Sequence, residues 1–274
     1  MKKSTILTAV AVLAAALISA CSGEAEYITK QTRINLYVKD GELRAGVVKI
    51  DITPENDKIY YFCDILTPDK YTPGTGDERF MQLTLDSLYR DYIDWRYDLL
   101  KENSPYVATF SSHCLCYGCD ERMFADLKPD TDYIVYAYCV NPETNQPMGD
   151  LYWRAIHTAT IQSSDLTFEW KFQNNQLVVI PSNDTDYYLL YVIEKDVVDD
   201  YYEGDCEAFL QMLIEAYCEY GLMEKQLRNS ISKYDFSDEL EDDRTYYIIL
   251  AGYDGELTTD IFVDTFTPCP APAE

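Results

Sequence analysis

Two halves of this chain carry the same motifs in the same order, and this repeat constrains the fold more than any other feature. The matching blocks are Thr53–Tyr61 with Ile180–Tyr188, Phe80–Leu83 with Phe209–Met212, Leu127–Tyr133 with Leu240–Tyr246, and Thr158–Thr160 with Thr265–Thr267. Four blocks in the same order indicate a tandem duplication of one domain, joined near Ser163 and Ser164.

The residue pattern of each copy predicts a series of short strands separated by turns. An apolar strand (46–52 in the first copy, 176–180 in the second) meets a turn rich in Pro, Asn and Asp. A tyrosine-rich strand follows, at 59–66 or 187–193, and then a helical stretch. Another strand begins at Tyr133 or Tyr246, and a last strand ends at Thr160 or Thr267. The pattern predicts a mainly β protein with inserted helices.

The segment Leu127-x-Pro129-x-Thr131-x-Tyr133 resembles the entry to the sixth strand of fibronectin type III domains. The second copy keeps Leu240 and Tyr246. The resemblance implies two tandem fibronectin type III/Ig-like β-sandwich domains, at 28–162 and 163–268. It also implies a structural role for Tyr133 and Tyr246, whose hydroxyls bond back to the chain.

One amphipathic helix is expected in each domain, near 80–102 and near 206–228. Apolar residues recur there at spacings of three and four, which is typical of one buried helical face. They are Met81, Leu85, Leu88, Tyr92, Trp95 and Leu99 in the first copy, and Phe209, Leu213, Ala216, Tyr220 and Met223 in the second. Both faces of the strand starting at Tyr133 are apolar, so we expect each helix to cover the sheet face outside the sandwich core.

The first twenty residues resemble the signal peptide of Gram-negative bacterial lipoproteins. Lys2 and Lys3 precede an apolar run at 6–17, and small residues then lead to Cys21. The resemblance implies cleavage of 1–20, lipidation of Cys21, a tether at 21–27 and an anchor in the outer membrane, on the periplasmic side or at the cell surface. Residues 269–274 are expected to form a C-terminal tail.

The formal charge of −26 argues against nucleic acid as a partner, because a strongly acidic surface repels phosphates. Removal of Lys2 and Lys3 with the signal makes the charge −28. The acids are spread along the chain and are typical of a solvated surface.

The Cys-rich segment 113–119 is the sharpest cluster of reactive side chains. His113, Cys114, Cys116 and Cys119 are weak metal-ligand candidates, because zinc binds thiolate and imidazole but this segment has no second pair at a usual spacing. Disulfides, free thiols and redox chemistry remain alternatives. Cys63 and Cys139 fall on neighbouring strands and either pair or act as small buried apolar residues.

Catalysis is not expected, since no nucleophile elbow, phosphate-binding glycine loop or H-E-x-x-H motif occurs. A Cys114/His157 dyad is conceivable, although His157 reads as part of the last strand. The sequence therefore predicts a lipid-anchored binding or adhesion module for a protein or glycan, with no cofactor. The alternatives are a structural or assembly subunit of a surface appendage or envelope complex, and a metal-binding or thiol-dependent protein centred on Cys114–Cys119.

Overall fold

A computed structural model of the chain describes residues 32–74, 76–101, 108–173, 175–236, 240–241 and 244–268. Strands of the first half are β1 (Ile34–Leu43), β2 (Val48–Pro54), β3 (Tyr60–Leu66), β4 (Cys116–Tyr117), β5 (Asp120–Phe124), β6 (Asp132–Asn141) and β7 (Gln146–His157). Strands of the second half are β8 (Phe168–Gln173), β9 (Gln176–Pro181), β10 (Tyr188–Glu194), β11 (Ser232–Asp235), β12 (Tyr246–Gly252) and β13 (Phe262–Phe266).

Each half folds into a sandwich of two antiparallel sheets. In the first sandwich the orders are β1-β2-β5 and β4-β3-β6-β7. In the second they are β11-β9-β8 and β10-β12-β13. The second sandwich thus repeats the first without a counterpart of β4. The fold is two tandem fibronectin type III-like β-sandwich domains, which confirms the predicted fold class.

Strand β6 is buried on both faces, as its apolar sequence predicts. Tyr133, Val135 and Ala137 join the core between the two sheets of the first sandwich. Tyr136 and Tyr138 point to the other face, beneath a helical layer. Strand β12 repeats this arrangement, with Tyr246, Ile248 and Leu250 in the sandwich core and Ile249 and Ala251 under helices.

The helices are α1 (Asp77–Lys101), α2 (Phe110–Cys114), α3 (Lys195–Tyr202), α4 (Cys206–Glu219) and α5 (Met223–Gln226). Helix α1 begins three residues before the predicted start, with Asp77 and Glu78 in its first turn. Both acids favour a helix start, because the amino-terminal end of a helix carries partial positive charge. Met81, Leu85 and Tyr92 are buried against the outer face of β6.

The insert of the second sandwich differs from the single helix predicted near 206–228. Helix α4 stops at Glu219 because Gly221 adopts a φ of +62°. The N–H groups of Gly221 and Leu222 then donate to the carbonyls of Cys218 and Tyr217, a Schellman ending. The predicted apolar row is therefore interrupted, and Tyr220 is 72% exposed.

One helix was not predicted, and one alignment is wrong. Helix α3 lies before the expected insert, and Asp205 caps α4 by accepting from the N–H groups of Glu207 and Ala208. The closing block of the repeat is misaligned. Tyr133 lies opposite Ile156 and Tyr246 opposite Phe266, so Ile156 and Phe266 are equivalent and the Thr158/Thr265 match is shifted by three positions.

The two sandwiches share a close joint. Val47 and Ala125 of the first sandwich are buried in the cluster formed by α4 and β12 of the second. The Asp254 carboxylate accepts from the N–H groups of Ala45 and Gly46, at 3.1 and 2.9 Å. Gly46 approaches Gly255 so closely that a Cβ at position 46 would lie 2.0 Å from the Gly255 Cα. Main chain thus packs directly on main chain at the joint.

Candidate functional site

The outward side of α1 carries a second row of apolar side chains beside the buried one. Tyr89, Ile93 and Tyr97 each follow a position of the sheet-facing stripe by one residue or two, and are 40%, 42% and 60% exposed. One residue rotates a helix by about 100°, so this row lies beside the face that covers the sheet. The sequence held the signal, since apolar residues at i, i+4 and i+8 recur outside the predicted stripe.

A cleft of about 650 Å³ opens between α1 and the turn that joins β6 to β7. Its lining combines apolar, amide and charged side chains: Leu83, Leu85, Asp86, Tyr89, Arg90, Thr144, Asn145 and Gln146. Tyr89 is fixed at one wall because its ring packs edge-on against Phe110 at 5.2 Å and tilted against Tyr92 at 6.1 Å. We call this the α1 cleft.

Hydrogen bonds to the side chain and main chain of Asn141 fix the β6–β7 turn. The Asn141 side-chain oxygen accepts from the N–H groups of Glu143 and Thr144, at 2.9 and 3.3 Å. Asn145 adopts a φ of +53°, which asparagine tolerates better than most residues, and donates its N–H to the Asn141 carbonyl. Within the described part of the chain, the side chains of Thr144, Asn145 and Gln146 make no hydrogen bond. Their polar groups are available to a ligand.

A second cleft of about 590 Å³ continues from the first and shares Gln146 with it. Asp77, Glu78 and Asp150 line it, together with Met81 and Gln82. The Gln82 side chain donates to Asp86 at 2.8 Å, which links the two clefts along α1. The pair forms one groove from the start of α1 to its middle.

The predicted Cys-rich segment does not converge on one point. His113 lies in the last turn of α2 and stacks on Trp95, with ring centroids 3.6 Å apart. Cys114 packs at the edge of the α1 layer and Cys116 at the edge of the sandwich core, while Cys119 is exposed. Among the described residues, no group of three His, Cys, Asp or Glu side chains is arranged to hold a metal ion.

The thiols near this segment are poorly suited to nucleophilic chemistry. Burial raises the pKa of Cys114 to about 11, and burial raises that of Cys116 to about 11 as well. A thiol is reactive as its thiolate, which these values disfavour at neutral pH. The described cysteines, including buried Cys63 and Cys139, are all free thiols.

His157 has partners other than a cysteine. Its Nδ1 lies 2.8 Å from Asp132 and its Nε2 lies 3.0 Å from Asp130. Hydrogen bonds with Asp132 and then Asp130 raise the pKa of His157. Both ring nitrogens are thus engaged at the end of β7, and the Cys114/His157 dyad finds no support in this geometry.

Tyr133 and Tyr246 occupy equivalent places in the two sandwiches. The Tyr133 hydroxyl accepts from the Lys128 N–H at 2.8 Å, and the Tyr246 hydroxyl accepts from the Glu241 N–H at 2.9 Å. Each bond spans five residues and closes the turn before a central strand. The contribution of these two hydrogen bonds to stability stays a prediction.

A third cavity, of about 570 Å³, lies at the joint between the sandwiches. Arg44 lines this cavity, but its guanidinium already pairs with Asp186 at 3.6 Å and donates to the Thr185 carbonyl. Asp186 in turn accepts from Ser164 at 2.6 Å, and these hydrogen bonds, the one from Ser164 first, hold the pKa of Asp186 low. This cavity serves the joint.

The predicted lipidation site, Cys21, lies outside the described residues, as do the signal peptide 1–20, the tether 21–27 and the tail 269–274. Within the described ranges, no helix has both the length and the apolar character needed to cross a bilayer.

No protein-family model matches the chain, and no curated protein matches it. Among solved structures, FN1–FN3 of chicken CNTN1 aligns at 11% identity with a TM-score of 0.27, covering 89% of this chain and 69% of that one. Two fibronectin type III domains of chicken tenascin align at 8% identity and 0.23, covering 87% and 100%. The central fibronectin III array of RIM-binding protein aligns at 8% identity and 0.22, covering 91% and 66%. The strand order described above, rather than these alignments, carries the fold assignment.

Proposed function

We propose that this chain is a non-catalytic protein of the bacterial envelope, anchored by lipid at Cys21, that binds a protein or glycan ligand. Sandwich domains of this type often serve as binding or adhesion modules. The ligand surface is the outward side of the first sandwich, formed by α1 and the β6–β7 turn.

The exposed row Tyr89, Ile93 and Tyr97 is the observation that carries this proposal. One side of α1 already covers β6, so these three side chains are not required to close the core. Tyrosine supplies large contact area with little loss of rotamer freedom on binding. Apolar side chains grouped beside a cleft are typical of ligand-binding surfaces.

In this proposal, the second sandwich positions the ligand surface of the first. Its helices pack on Val47 and Ala125 of the first sandwich, which belong to a different cluster from the one under α1. A rigid pair therefore holds the α1 surface at a fixed orientation relative to the second sandwich.

Anchoring is tested by Cys21→Ala. We expect this variant to lose membrane association and lipid labelling, because the acyl chains supply an anchor that an acidic protein surface lacks. The matched control is Cys119→Ala, an exposed cysteine of the described chain, which should remain in the membrane fraction. Membrane association of the Cys21→Ala chain equal to wild type would refute the anchor.

Binding is tested by a photo-crosslinking amino acid at position 93, with position 263 as control. Ile93 and Val263 are equally exposed, at 42% and 40%, but only position 93 lies on α1. We expect an adduct from 93 in native envelopes that disappears when Tyr89→Ala is added. Equal adducts from both positions, or none from either, would contradict a ligand surface on α1.

A subunit of an envelope assembly is the second candidate, and the edge of β10 favours it. Tyr188 is bridged to Arg228, but no described residue outside the sheet hydrogen-bonds to the main chain of Leu190 or Val192. In the first sandwich, the matching strand is covered. Arg122 donates to the Cys63 carbonyl at 2.9 Å and Ile65 N–H donates to Asp64 at 2.8 Å. An uncovered edge can accept a strand from another chain.

Val192→Pro tests this candidate, because proline removes an edge-facing N–H and leaves the bonds to β12 in place. Ile65→Pro, on the covered edge, is the control. If the β10 edge mediates assembly, sedimentation will show concentration-dependent association of wild type and Ile65→Pro that Val192→Pro lacks. Monomers throughout, or equal association of all three chains, would remove the candidate.

A further inference from the structure

We propose that the α1 cleft and its continuation form an oligosaccharide-binding groove, with Tyr89 as the stacking wall. This inference rests on the proposed function, since it names the ligand class for the same surface.

The first argument is the chemistry of the free polar groups. Thr144 supplies a hydroxyl, and Asn145 and Gln146 each supply an amide with donors and an acceptor. Inside the described chain these groups have no hydrogen-bonding partner. Sugar hydroxyls both donate and accept, so a row of uncharged mixed donors and acceptors fits them well.

The second argument is the aromatic wall. Sugar rings have apolar C–H faces that pack on aromatic rings, and Tyr89 presents a ring that is 40% exposed beside the cleft. Phe110 and Tyr92 hold that ring from behind. Because the ring and the turn are both fixed before binding, little conformational entropy is lost when a ligand arrives.

The third argument is charge. The α1 cleft contains one acid, Asp86, and one base, Arg90, so it is balanced on a chain whose formal charge is −26. The continuing cleft carries Asp77, Glu78 and Asp150, which would repel an anionic ligand. A neutral saccharide fits both parts of the groove.

The length of the groove indicates more than one sugar unit. From Glu78 to Arg90 the helix rises roughly 18 Å at 1.5 Å per residue. Gln146 lies in both clefts and would contact adjacent units of one chain. The concave shape favours a linear oligosaccharide over a flat protein surface.

The test uses the full chain in detergent against immobilised neutral hexasaccharides of glucose, mannose, xylose and N-acetylglucosamine, followed by calorimetry with the one that binds best. We expect Tyr89→Ala to weaken binding by about tenfold or more, since stacked aromatics dominate such contacts. Tyr89→Phe keeps the ring and should stay within about threefold. Tyr220→Ala, which changes a 72% exposed tyrosine of the second sandwich outside both clefts, should bind as wild type.

Gln146→Ala keeps the test independent of folding, because Gln146, the first residue of β7, is exposed and belongs to no core cluster. It should also weaken binding while leaving the thermal midpoint unchanged. Failure of every hexasaccharide to bind, or binding that survives both Tyr89→Ala and Gln146→Ala, would overturn the saccharide groove. A Tyr89-dependent adduct at position 93 without saccharide binding would leave the proposed function standing, with a protein as ligand.

Discussion

The two sandwiches carry helical inserts at the same point in the strand order, yet the inserts have different surroundings. Helix α1 is one long helix that covers β6 and leaves Tyr89, Ile93 and Tyr97 exposed. The second insert is three shorter helices, and its cluster includes Val47 and Ala125 of the first sandwich. One insert thus forms a surface, whereas the other joins the two domains.

The same contrast holds at the strand edges. Asp64 and Arg122 cover the edge of β3, and burial raises the pKa of Asp64. On β10, the main-chain groups that match the Cys63 carbonyl and the Ile65 N–H belong to Leu190 and Val192. They have no such cover among the described residues. The two sandwiches share one strand order, but their peripheral contacts differ. The comparison predicts distinct responses to matched substitutions.

The largest expected effect comes from removing one buried leucine from each insert. Leu85→Ala and Leu210→Ala should each lower the free energy of unfolding by about 2–5 kcal/mol, because both side chains are almost fully buried. Amide hydrogen exchange distinguishes the effects of the two substitutions. Leu85→Ala should reduce protection in the first sandwich alone, and Leu210→Ala in the second sandwich and also around Val47.

Leu83→Ala is the control for this pair, since Leu83 is 57% exposed on α1. It should change stability by less than about 0.5 kcal/mol. Identical exchange patterns for the two buried substitutions would contradict the different surroundings of the inserts.

Gly46→Ala tests the joint itself. A Cβ at this position would meet the Gly255 main chain, which has no flexible end to move aside, so we expect a loss of about 1–3 kcal/mol. Small-angle scattering should also report a changed distance between the sandwiches. Gly41→Ala is the control, because its surroundings are open. It carries a φ of +80° and should cost about 1 kcal/mol without altering that distance.

The two tyrosine bonds should be equal, in contrast to the inserts. Tyr133→Phe and Tyr246→Phe each remove a half-buried hydrogen bond of similar length and keep the ring. We expect each to lower the free energy of unfolding by about 1 kcal/mol in chemical denaturation. Midpoints indistinguishable from wild type for both variants would count against the structural role of this pair.

The smallest effect distinguishes the ends of the last strands. His157 lies opposite Asp132 in the first sandwich, and Thr267 lies opposite Thr245 in the second, with hydroxyls 3.1 Å apart. Since bonding to Asp132 and Asp130 raises the pKa of His157 on folding, its stabilisation is complete below the unfolded pKa of about 6.5 and is lost as pH rises through the folded value. Denaturation at pH 6 and pH 9 should therefore show His157→Gln falling below wild type only at the lower pH, whereas Thr267→Ala should give a pH-independent difference.

The sequence predicted those parts of the fold that depend on periodicity. Alternation along β6 placed Tyr133 and Tyr136 on opposite faces, and the three-and-four spacing placed Met81 and Leu85 under the helix. The break at Gly221 was missed because the apolar period continues to Met223, although a glycine is the usual helix-ending residue. Helix α3 was not predicted, because the expected helical stretch began near 206.

The candidate groove was less accessible to sequence reasoning. Its walls come from α1 and a turn about fifty residues later in the chain. Only folding brings Tyr89 beside Gln146, and no local pattern connects them. The metal and thiol alternatives depended on cysteines that are close along the chain. The chain changes from helix α2 to strand β4 between Cys114 and Cys116, so their side chains join different clusters.

The contact of Gly46 with Gly255 has a consequence for dissecting this protein. Tandem sandwich domains that only a linker connects can be separated or recombined as independent units. Here neither sandwich retains a complete exterior without the other, because Val47 and Ala125 fill the neighbour and Gly46 leaves no room for a side chain. The two sandwiches are therefore expected to be transferable only together, since a side chain added on one side of this contact needs room made on the other.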